Sequence, residues 1–159
     1  MRKSRGKARL MPDRKPMRIV VDFDGTLATG SWPEINSGTR WNSVLYRWLQ
    51  KRKAMGDTVS LWTCRENYGG LRFPDRPYLN EAVQFCTRNL LFFDSVNRNV
   101  GEEYGEYQLD SRRYGRKICA DAYIDDRSLP FNPEGRLAGI WWRMYLFFMD
   151  RKLDRMSKK

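Results

Sequence analysis

The pattern of hydrophobic and polar positions divides the chain into segments that predict strands and helices in alternating order. Short apolar runs with β-branched residues predict strands at 18–22, 58–63 and 122–125, with a shorter one at 94–97. Apolar residues at helical spacing predict helices over 41–55, 79–91 and 140–153. A strand near the start of the last segment is an alternative that the pattern leaves open. Strands alternating with helices are typical of a three-layer, Rossmann-like α/β fold, a parallel sheet with helices on both faces.

The last predicted helix is unusually aromatic. Its apolar residues are expected on one side, at positions Ile140, Trp141, Met144, Tyr145 and Phe148. Core packing is the first explanation for such a side. Because aromatic residues also fall on other sides of the helix, a subunit interface is the next candidate. We therefore predict a homo-oligomer formed through this C-terminal segment.

Charge is concentrated at the two ends of the chain. The net charge is +11, of which residues 1–18 carry +7 and residues 150–159 carry +3. We predict a flexible basic arm at 1–17, a folded domain at 18–153 and a basic tail at 154–159. The basic ends could attract nucleic acid or another polyanion, and they could equally be solvated ends that keep a small protein soluble.

The composition excludes several classes of protein. The chain has no histidine, which excludes Ser-His and Cys-His hydrolases and His-ligated zinc sites. Its three cysteines follow no disulfide spacing, and its longest apolar run is shorter than the ~20 residues that a bilayer span needs. No secretory signal is recognisable. We therefore expect a cytoplasmic protein with no membrane partner.

Polar side chains that could bind a ligand or take part in a reaction lie where the predicted strands end. Asp22 ends the first strand and Asp24 follows it, and alternate residues of an extended segment share a side, so both can face one ligand. Thr63 ends the second strand and can hold a phosphate oxygen through its hydroxyl. In parallel α/β sheets, ligands bind beyond the carboxyl ends of the strands. These side chains are therefore expected to meet at one ligand.

Asp125 and Asp126 repeat this pattern after the last predicted strand. Brought beside Asp22 by neighbouring strands, they would complete a site of oxygen atoms, which suits Mg²⁺ far better than zinc or copper. Lys117, which precedes that strand, could place an ammonium group against phosphate. The sequence thus predicts a magnesium and phosphate site.

Together these segments resemble the four motifs of the haloacid dehalogenase (HAD) superfamily of aspartate-nucleophile phosphatases. In the superfamily's order, the motifs are VVDFDGTL at 20–27, SLWTCR at 60–65, Lys117 and YIDD at 123–126. The resemblance covers about residues 18–130. The phrases LWTCR, FDSVNRN and KICADAYIDDRS look closer still to a subgroup of small HAD-like hydrolases.

The resemblance implies a magnesium-dependent phosphomonoesterase. Asp22 would attack phosphorus and form an aspartyl-phosphate, while Asp24 would protonate the leaving oxygen and later deprotonate a water. Mg²⁺ would be held by Asp22, the backbone carbonyl of Asp24 and Asp125. Asp126 would bind the ion directly or position its waters.

Further residues are expected to contact the phosphorylated substrate. The resemblance implies that Thr63 and Lys117 hold the phosphoryl oxygens. Arg65 and Asn97 are plausible substrate contacts, and structural roles are equally open for them. The spacing between the motifs leaves no room for a separate cap domain, which implies an open site. With the basic ends, this favours a nucleotide or a nucleic-acid phosphate end as substrate.

Two other functions are compatible with the same residues. A non-catalytic module on a HAD-like fold could bind nucleic acid or protein through the basic ends. Such a module has no need of the carboxylates, the threonine and the lysine together. A HAD-type phosphotransferase would use the same aspartyl-phosphate, and the motifs do not distinguish it from a phosphatase.

Overall fold

A four-stranded parallel sheet organises the computed structural model. The structure describes residues 14–29, 32–36, 42–67, 75–101, 118–133 and 135–158. The strands are β1 (Arg18–Asp22), β2 (Thr58–Trp62), β3 (Ser95–Val96) and β4 (Ala122–Ile124). Their order in the sheet is β3-β2-β1-β4, so β1 lies between β2 and β4 and all pairs are parallel. This confirms the predicted α/β fold class.

Three α-helices accompany the sheet in the described parts of the chain. They are α1 (Asn42–Ala54), α2 (Tyr78–Arg88) and α3 (Ala138–Met156), and a 3₁₀ turn at Asp126–Ser128 follows β4. The predicted helices and strands therefore exist, with ends displaced by a few residues. The alternative of a strand at the start of the last segment is wrong, because α3 begins at Ala138 and is helical throughout.

The core lies on one face of the sheet. Successive strand residues point to opposite faces, and the buried cluster takes the alternate positions Ile19 and Val21 of β1 together with Val59 and Leu61 of β2. Buried residues of all three helices belong to the same cluster. Helices on the second face stay a prediction, since residues 102–117, which connect β3 to β4, are outside the described part.

The strand register sets where the functional residues fall. Val21 of β1 lies opposite Ile124 of β4. The next residues, Asp22 and Asp125, therefore leave their two strands at the same level. Thr63 follows β2, the strand on the other side of β1. The topology thus brings three polar side chains to the carboxyl end of the sheet.

The side of α3 that packs on the core differs from the predicted one. Trp142, Leu146 and Leu153 are buried, whereas Ile140 and Phe148 of the predicted apolar side are exposed. The prediction failed because α3 has apolar residues on nearly all sides, so periodicity alone could not choose between them. None of the described helices combines the length and the apolar character needed to cross a bilayer.

The predicted flexible arm at 1–17 is corrected at its end. Met17 is buried, and its N–H donates to Asp57 Oδ1 at 2.8 Å. The Lys15 N–H donates to the carbonyl of Ser157 at 3.1 Å. Residues 14–17 therefore belong to the folded domain, because burial of Met17 and these bonds offset the loss of chain entropy. Residues 1–13 are outside the described part.

The predicted basic tail at 154–159 is corrected as well. Helix α3 continues to Met156, and Ser157 is buried. Asp154 Oδ1 accepts a hydrogen bond from Arg52 Nη1 at 3.0 Å. The tail is therefore anchored by a carboxylate within it, which a count of net charge conceals.

A buried ion-pair network joins the ends of the chain to α1. The Arg52 side chain is 0% exposed, and its Nε donates to Asp57 Oδ2 at 2.6 Å. Its Nη1 donates to Asp150 and Asp154 of α3. Arg14 forms a second ion pair with Asp57, at 2.7 Å. Because buried charges are stable only when paired, Arg52 fixes α3 and the N-terminal segment against α1.

We predict that Arg52→Met lowers the free energy of unfolding by about 3–5 kcal/mol, because it removes one partner of a buried ion pair. Lys51→Met is the matched control. Lys51 also pairs with Asp150, but its side chain is largely exposed, and its loss should cost no more than about 1 kcal/mol. Urea denaturation of both variants measures the difference, and equal losses would contradict the role given to Arg52.

Candidate functional site

The turn after β1 places two aspartates around a buried phenylalanine. Asp22 is the last residue of β1, and Phe23 is completely buried. Gly25 follows Asp24 with φ of +80°, a left-handed conformation that a glycine adopts readily. The N–H groups of Leu27 and Ala28 both donate to the Phe23 carbonyl at 3.0 Å. The chain thus turns sharply away from the sheet directly after β1.

Three carboxylates form a cluster at the carboxyl ends of β1 and β4. One ligand oxygen each from Asp22, Asp125 and Asp126 lies within 4.8 Å of the others. All three residues are partly buried. The structure therefore brings together three of the four residues predicted to bind metal. Asp24 was predicted to use its backbone carbonyl, and that contact stays a prediction.

The two acidic segments are tied to each other by Thr26. Its hydroxyl accepts a hydrogen bond from the Asp126 N–H at 2.8 Å and lies 3.4 Å from Asp22 Oδ2, to which it can donate. A β-carbon on Gly25 would lie 2.6 Å from Asp126 Oδ2. Only a residue without a side chain fits there. The close approach of the two strand ends therefore depends on Gly25 and Thr26.

Thr26 was not among the predicted site residues. It is buried, and its backbone carbonyl accepts from the Asn42 side-chain amide at 3.2 Å. The signal was present in the sequence, since Thr26 ends the DFDGT segment. A role for Asn42 carries no comparable signal, because it depends on where α1 begins relative to the turn.

The surroundings of Asp22 favour its protonated form when no cation is bound. Its pKa is raised from 3.8 to about 7, and burial is the largest cause. The charges of Asp125, Asp24 and Asp126 also raise it, while a backbone hydrogen bond at Phe23 opposes the shift. Burial disfavours the charged carboxylate, and like charges nearby add to that effect.

Asp126 shows the same tendency. Burial raises the pKa of its carboxyl, and a hydrogen bond and the charge of Asp125 contribute in the same direction. Asp125 Oδ1 in turn accepts from the Arg127 N–H at 2.9 Å, which orients its carboxylate. Crowded carboxylates of this kind are relieved by a proton or by a cation.

The Asp24 carboxylate is held by an arginine. Arg65 Nη2 donates to Asp24 Oδ1 at 2.7 Å, and Arg65 Nε lies 3.1 and 3.0 Å from the two carboxylate oxygens. The Arg65 side chain is 1% exposed and Asp24 is 41% exposed. Arg65 Nη1 also donates to the Pro33 carbonyl, and its guanidinium lies over the Phe23 ring. The arginine is thus fixed on three sides, and the carboxylate faces outward.

Arg65 therefore does not lie where a substrate contact would. The prediction left a structural role open, and the structure gives it one, since the buried guanidinium fixes Asp24. Asn97 accepts a hydrogen bond at its Oδ1 from the Thr63 N–H at 2.8 Å. This bond fixes the residue after β2 and leaves the predicted substrate contact of Asn97 untested.

Thr63 is buried at the end of β2. Its hydroxyl accepts from the Arg65 N–H at 3.1 Å, which orders the turn that leads to Arg65. Lys117, the other predicted phosphate ligand, is outside the described residues. The phosphate-binding role of both residues stays a prediction.

The chemistry of the cluster fits Mg²⁺. Its three donors are all carboxylate oxygens, the hard ligands that this ion prefers. The space above Gly25 lets the Asp126 carboxylate approach Asp22, and Thr26 fixes that approach. A divalent cation here would also compensate three like charges. Asp22, Asp125 and Asp126 are the residues that would hold it.

Comparisons with known proteins identify the fold alone. No protein-family model and no curated protein matches the chain. A solved structure of a conserved protein from Bacteroides thetaiotaomicron is similar, with a TM-score of 0.60 and 24% sequence identity. The match covers 90% of this chain and 97% of that protein. At this identity, the likeness supports a shared α/β architecture.

We predict that the metal-free protein loses stability as the pH rises from about 4 to about 7. The raised pKa of Asp22 means that the folded state binds this proton more tightly than the unfolded chain does. The resulting stabilisation is complete below about pH 3.8 and is lost as the pH passes about 7. The expected slope is at most about 1.4 kcal/mol per pH unit.

Urea denaturation in the presence of a chelator measures this slope. Asp22→Asn should flatten it, because the amide does not titrate, and added Mg²⁺ should restore the stability of the natural protein above pH 7. An unchanged slope in Asp22→Asn would contradict the pKa given to Asp22.

Proposed function

We propose that the protein is a magnesium-dependent phosphohydrolase of the HAD type, with Asp22 as nucleophile. The observation that carries this proposal is the meeting of Asp22, Asp125 and Asp126 within 4.8 Å at the ends of adjacent parallel strands. A binding module would gain nothing from such crowding, since burying like charges together destabilises the fold. A bound cation that takes part in catalysis would explain why the three carboxylates lie close together.

The bound ion would compensate the negative charge of both the carboxylates and the phosphate, so that an anionic nucleophile can approach an anionic substrate. Asp22 would make the attack, since it ends β1, an inner strand of the sheet, and belongs to the acidic cluster. Because its pKa is about 7 in the metal-free protein, part of Asp22 would be protonated at neutral pH, and a bound cation would favour the ionised carboxylate. Attack by a carboxylate oxygen on phosphorus forms an aspartyl-phosphate and releases the alcohol.

Asp24 would move the protons of both steps. It would donate a proton to the leaving oxygen as the phosphorus–oxygen bond breaks, and then remove a proton from the water that hydrolyses the aspartyl-phosphate. The two-point contact with Arg65 gives the Asp24 carboxylate a fixed direction. Its partial exposure leaves it accessible to substrate and water. These features support an acid–base role for a residue in a chain without histidine.

The phosphoryl oxygens would be held by Thr63 and Lys117. Thr63 lies at the end of β2, beside the strand that ends in Asp22. A hydroxyl and an ammonium group would stabilise the charge that these oxygens carry during transfer. Asn97 supports Thr63 through its backbone.

For the substrate, we propose a phosphomonoester at the end of a nucleic acid or on a nucleotide. Helix α1 occupies 13 of the residues between the first two motifs, which leaves little chain for a cap over the site. An open site accepts large substrates. The basic residues of the N-terminal segment would attract a polyanion. Assays with 3′- and 5′-phosphorylated oligonucleotides, nucleotides and sugar phosphates separate these substrates.

We predict that Asp22→Asn lowers Mg²⁺-dependent hydrolysis of an aryl phosphate by at least about 10³-fold, because an amide cannot act as the nucleophile. Asp121→Asn is the matched control. Asp121 lies at the opposite end of β4, where its carboxylate accepts a hydrogen bond from the Arg18 N–H at 2.8 Å. This control should keep nearly full activity. Equal losses in the two variants would contradict the assignment of Asp22.

We predict that Asp24→Asn lowers turnover by about 10²–10⁴-fold and lets phosphorylated protein accumulate. An aryl leaving group needs little protonation, so the first step continues, whereas hydrolysis of the aspartyl-phosphate lacks its base. Intact-protein mass spectrometry after acid quenching detects the phosphorylated form. Asp22→Asn should show none, and phosphorylation of Asp22→Asn would place the nucleophile elsewhere.

A further inference from the structure

Helix α3 carries a row of large apolar side chains that face away from the core. We define the outer face of α3 by six residues that are 46–60% exposed: Leu137, Ile140, Trp141, Met144, Phe147 and Phe148. They recur at intervals of three or four residues and therefore lie on one side of the helix. The opposite side of α3 packs on the core through Trp142, Leu146 and Leu153.

The outer face is larger than isolated exposed residues would give. It extends over about 17 Å of helix, at about 1.5 Å per residue. Large apolar side chains have ~200 Å² of surface each, so six that are about half exposed present ~600 Å². This is at the upper end of the patches that monomeric proteins expose, and such patches usually mark a binding surface.

Exposed basic residues outnumber acidic ones on the described part of α3. The basic residues of the helix and its approach, between 135 and 158, are exposed: Arg136, Arg143, Arg151, Lys152, Arg155 and Lys158. The acidic residues of that segment, Asp150 and Asp154, are both paired with Arg52, and the Asp154 side chain stays 47% exposed. Arg151 lies over the ring of Phe147, 5.2 Å from its centroid. Positive charge and apolar surface are therefore interleaved on the outer side of α3.

Further basic residues precede the segment that contacts the end of α3. The Lys15 N–H donates to the Ser157 carbonyl, so residue 15 lies beside the last turn of the helix. Residues 1–13, which precede Arg14 and Lys15 in the chain, contain five Lys or Arg and one Asp.

We propose that the outer face of α3 binds the surface of an anionic lipid bilayer. A helix with Trp, Phe and Leu on one side and Lys or Arg around them is the kind that lies in the plane of a membrane interface. Its apolar side chains enter the boundary between headgroups and acyl chains, where Trp141 is favoured. Each nearby Arg or Lys is attracted to the anionic headgroups and can extend its side chain toward them.

Charge favours a lipid surface over the other occupants. A second copy of the chain on this face would set arginines against arginines, and like charges across an interface disfavour binding. A nucleic acid would match the positive charge but not the aliphatic side chains of Leu137, Ile140 and Met144. An anionic bilayer matches both. The sequence predicted no membrane partner because no segment can span a bilayer; α3 would lie along the surface instead.

Vesicle co-sedimentation of the full-length protein tests this proposal. We expect binding to phosphatidylcholine vesicles that contain phosphatidylglycerol and little binding to pure phosphatidylcholine. Phe148→Glu should weaken binding to the anionic vesicles by at least about tenfold, because it puts a negative charge into the apolar part of the face. Phe92→Glu is the matched control. Phe92 is 59% exposed and Phe148 is 60% exposed, but Phe92 lies in the loop after α2.

Several outcomes would overturn the proposal. The natural protein could fail to bind the anionic vesicles, or the two glutamate variants could bind them equally well. Loss of vesicle binding on deleting residues 1–13, with no effect of Phe148→Glu, would assign binding to the arm alone. A dimer in light scattering that only Phe148→Glu dissociates would assign the face to a second copy. Thermal unfolding of both variants checks that they fold, and the proposal does not rest on phosphatase activity.

Discussion

The central physical constraint in this structure is the repulsion among three carboxylates at the carboxyl end of the sheet, which a proton or a cation has to relieve. Asp22, Asp125 and Asp126 are held together by the parallel register of β1 and β4, by the Thr26 hydroxyl and by the missing side chain of Gly25. The fold thus holds together three carboxylates whose mutual repulsion is unfavourable by itself. A proton on Asp22 relieves it in the absence of metal. A divalent cation would relieve it and leave Asp22 ionised, which is the form that the proposed reaction requires.

A second constraint separates the two aspartates of the first motif. Asp22 lies in the acidic cluster, whereas Asp24 is held by the guanidinium of Arg65. Two carboxylates only two residues apart therefore have different electrostatic surroundings, one dominated by burial and like charge and the other by a buried cation. Such a difference is what separate chemical roles require, one residue acting as nucleophile and the other transferring protons.

The sequence pattern predicted the helices and strands, and it predicted that polar side chains meet at the carboxyl end of the sheet. Asp22 and Asp125 follow apolar runs, and parallel strands present their carboxyl ends together, so their proximity followed from topology. The partner of Asp24 did not follow, because it depends on the path of the Arg65 side chain beneath the turn. The buried side of α3 was also beyond prediction, since apolar residues surround that helix. The anchoring of residues 14–17 depends on a distant partner, Asp57, that charge counting cannot reveal.

The most direct test is a crystal structure grown with Mg²⁺ and beryllium fluoride, which mimics a phosphoryl group on an aspartate. We expect one Mg²⁺ between Asp22 and Asp125, with the beryllium bonded to a carboxylate oxygen of Asp22. A mimic bonded to another residue, or carboxylates turned away from the ion, would contradict this expectation.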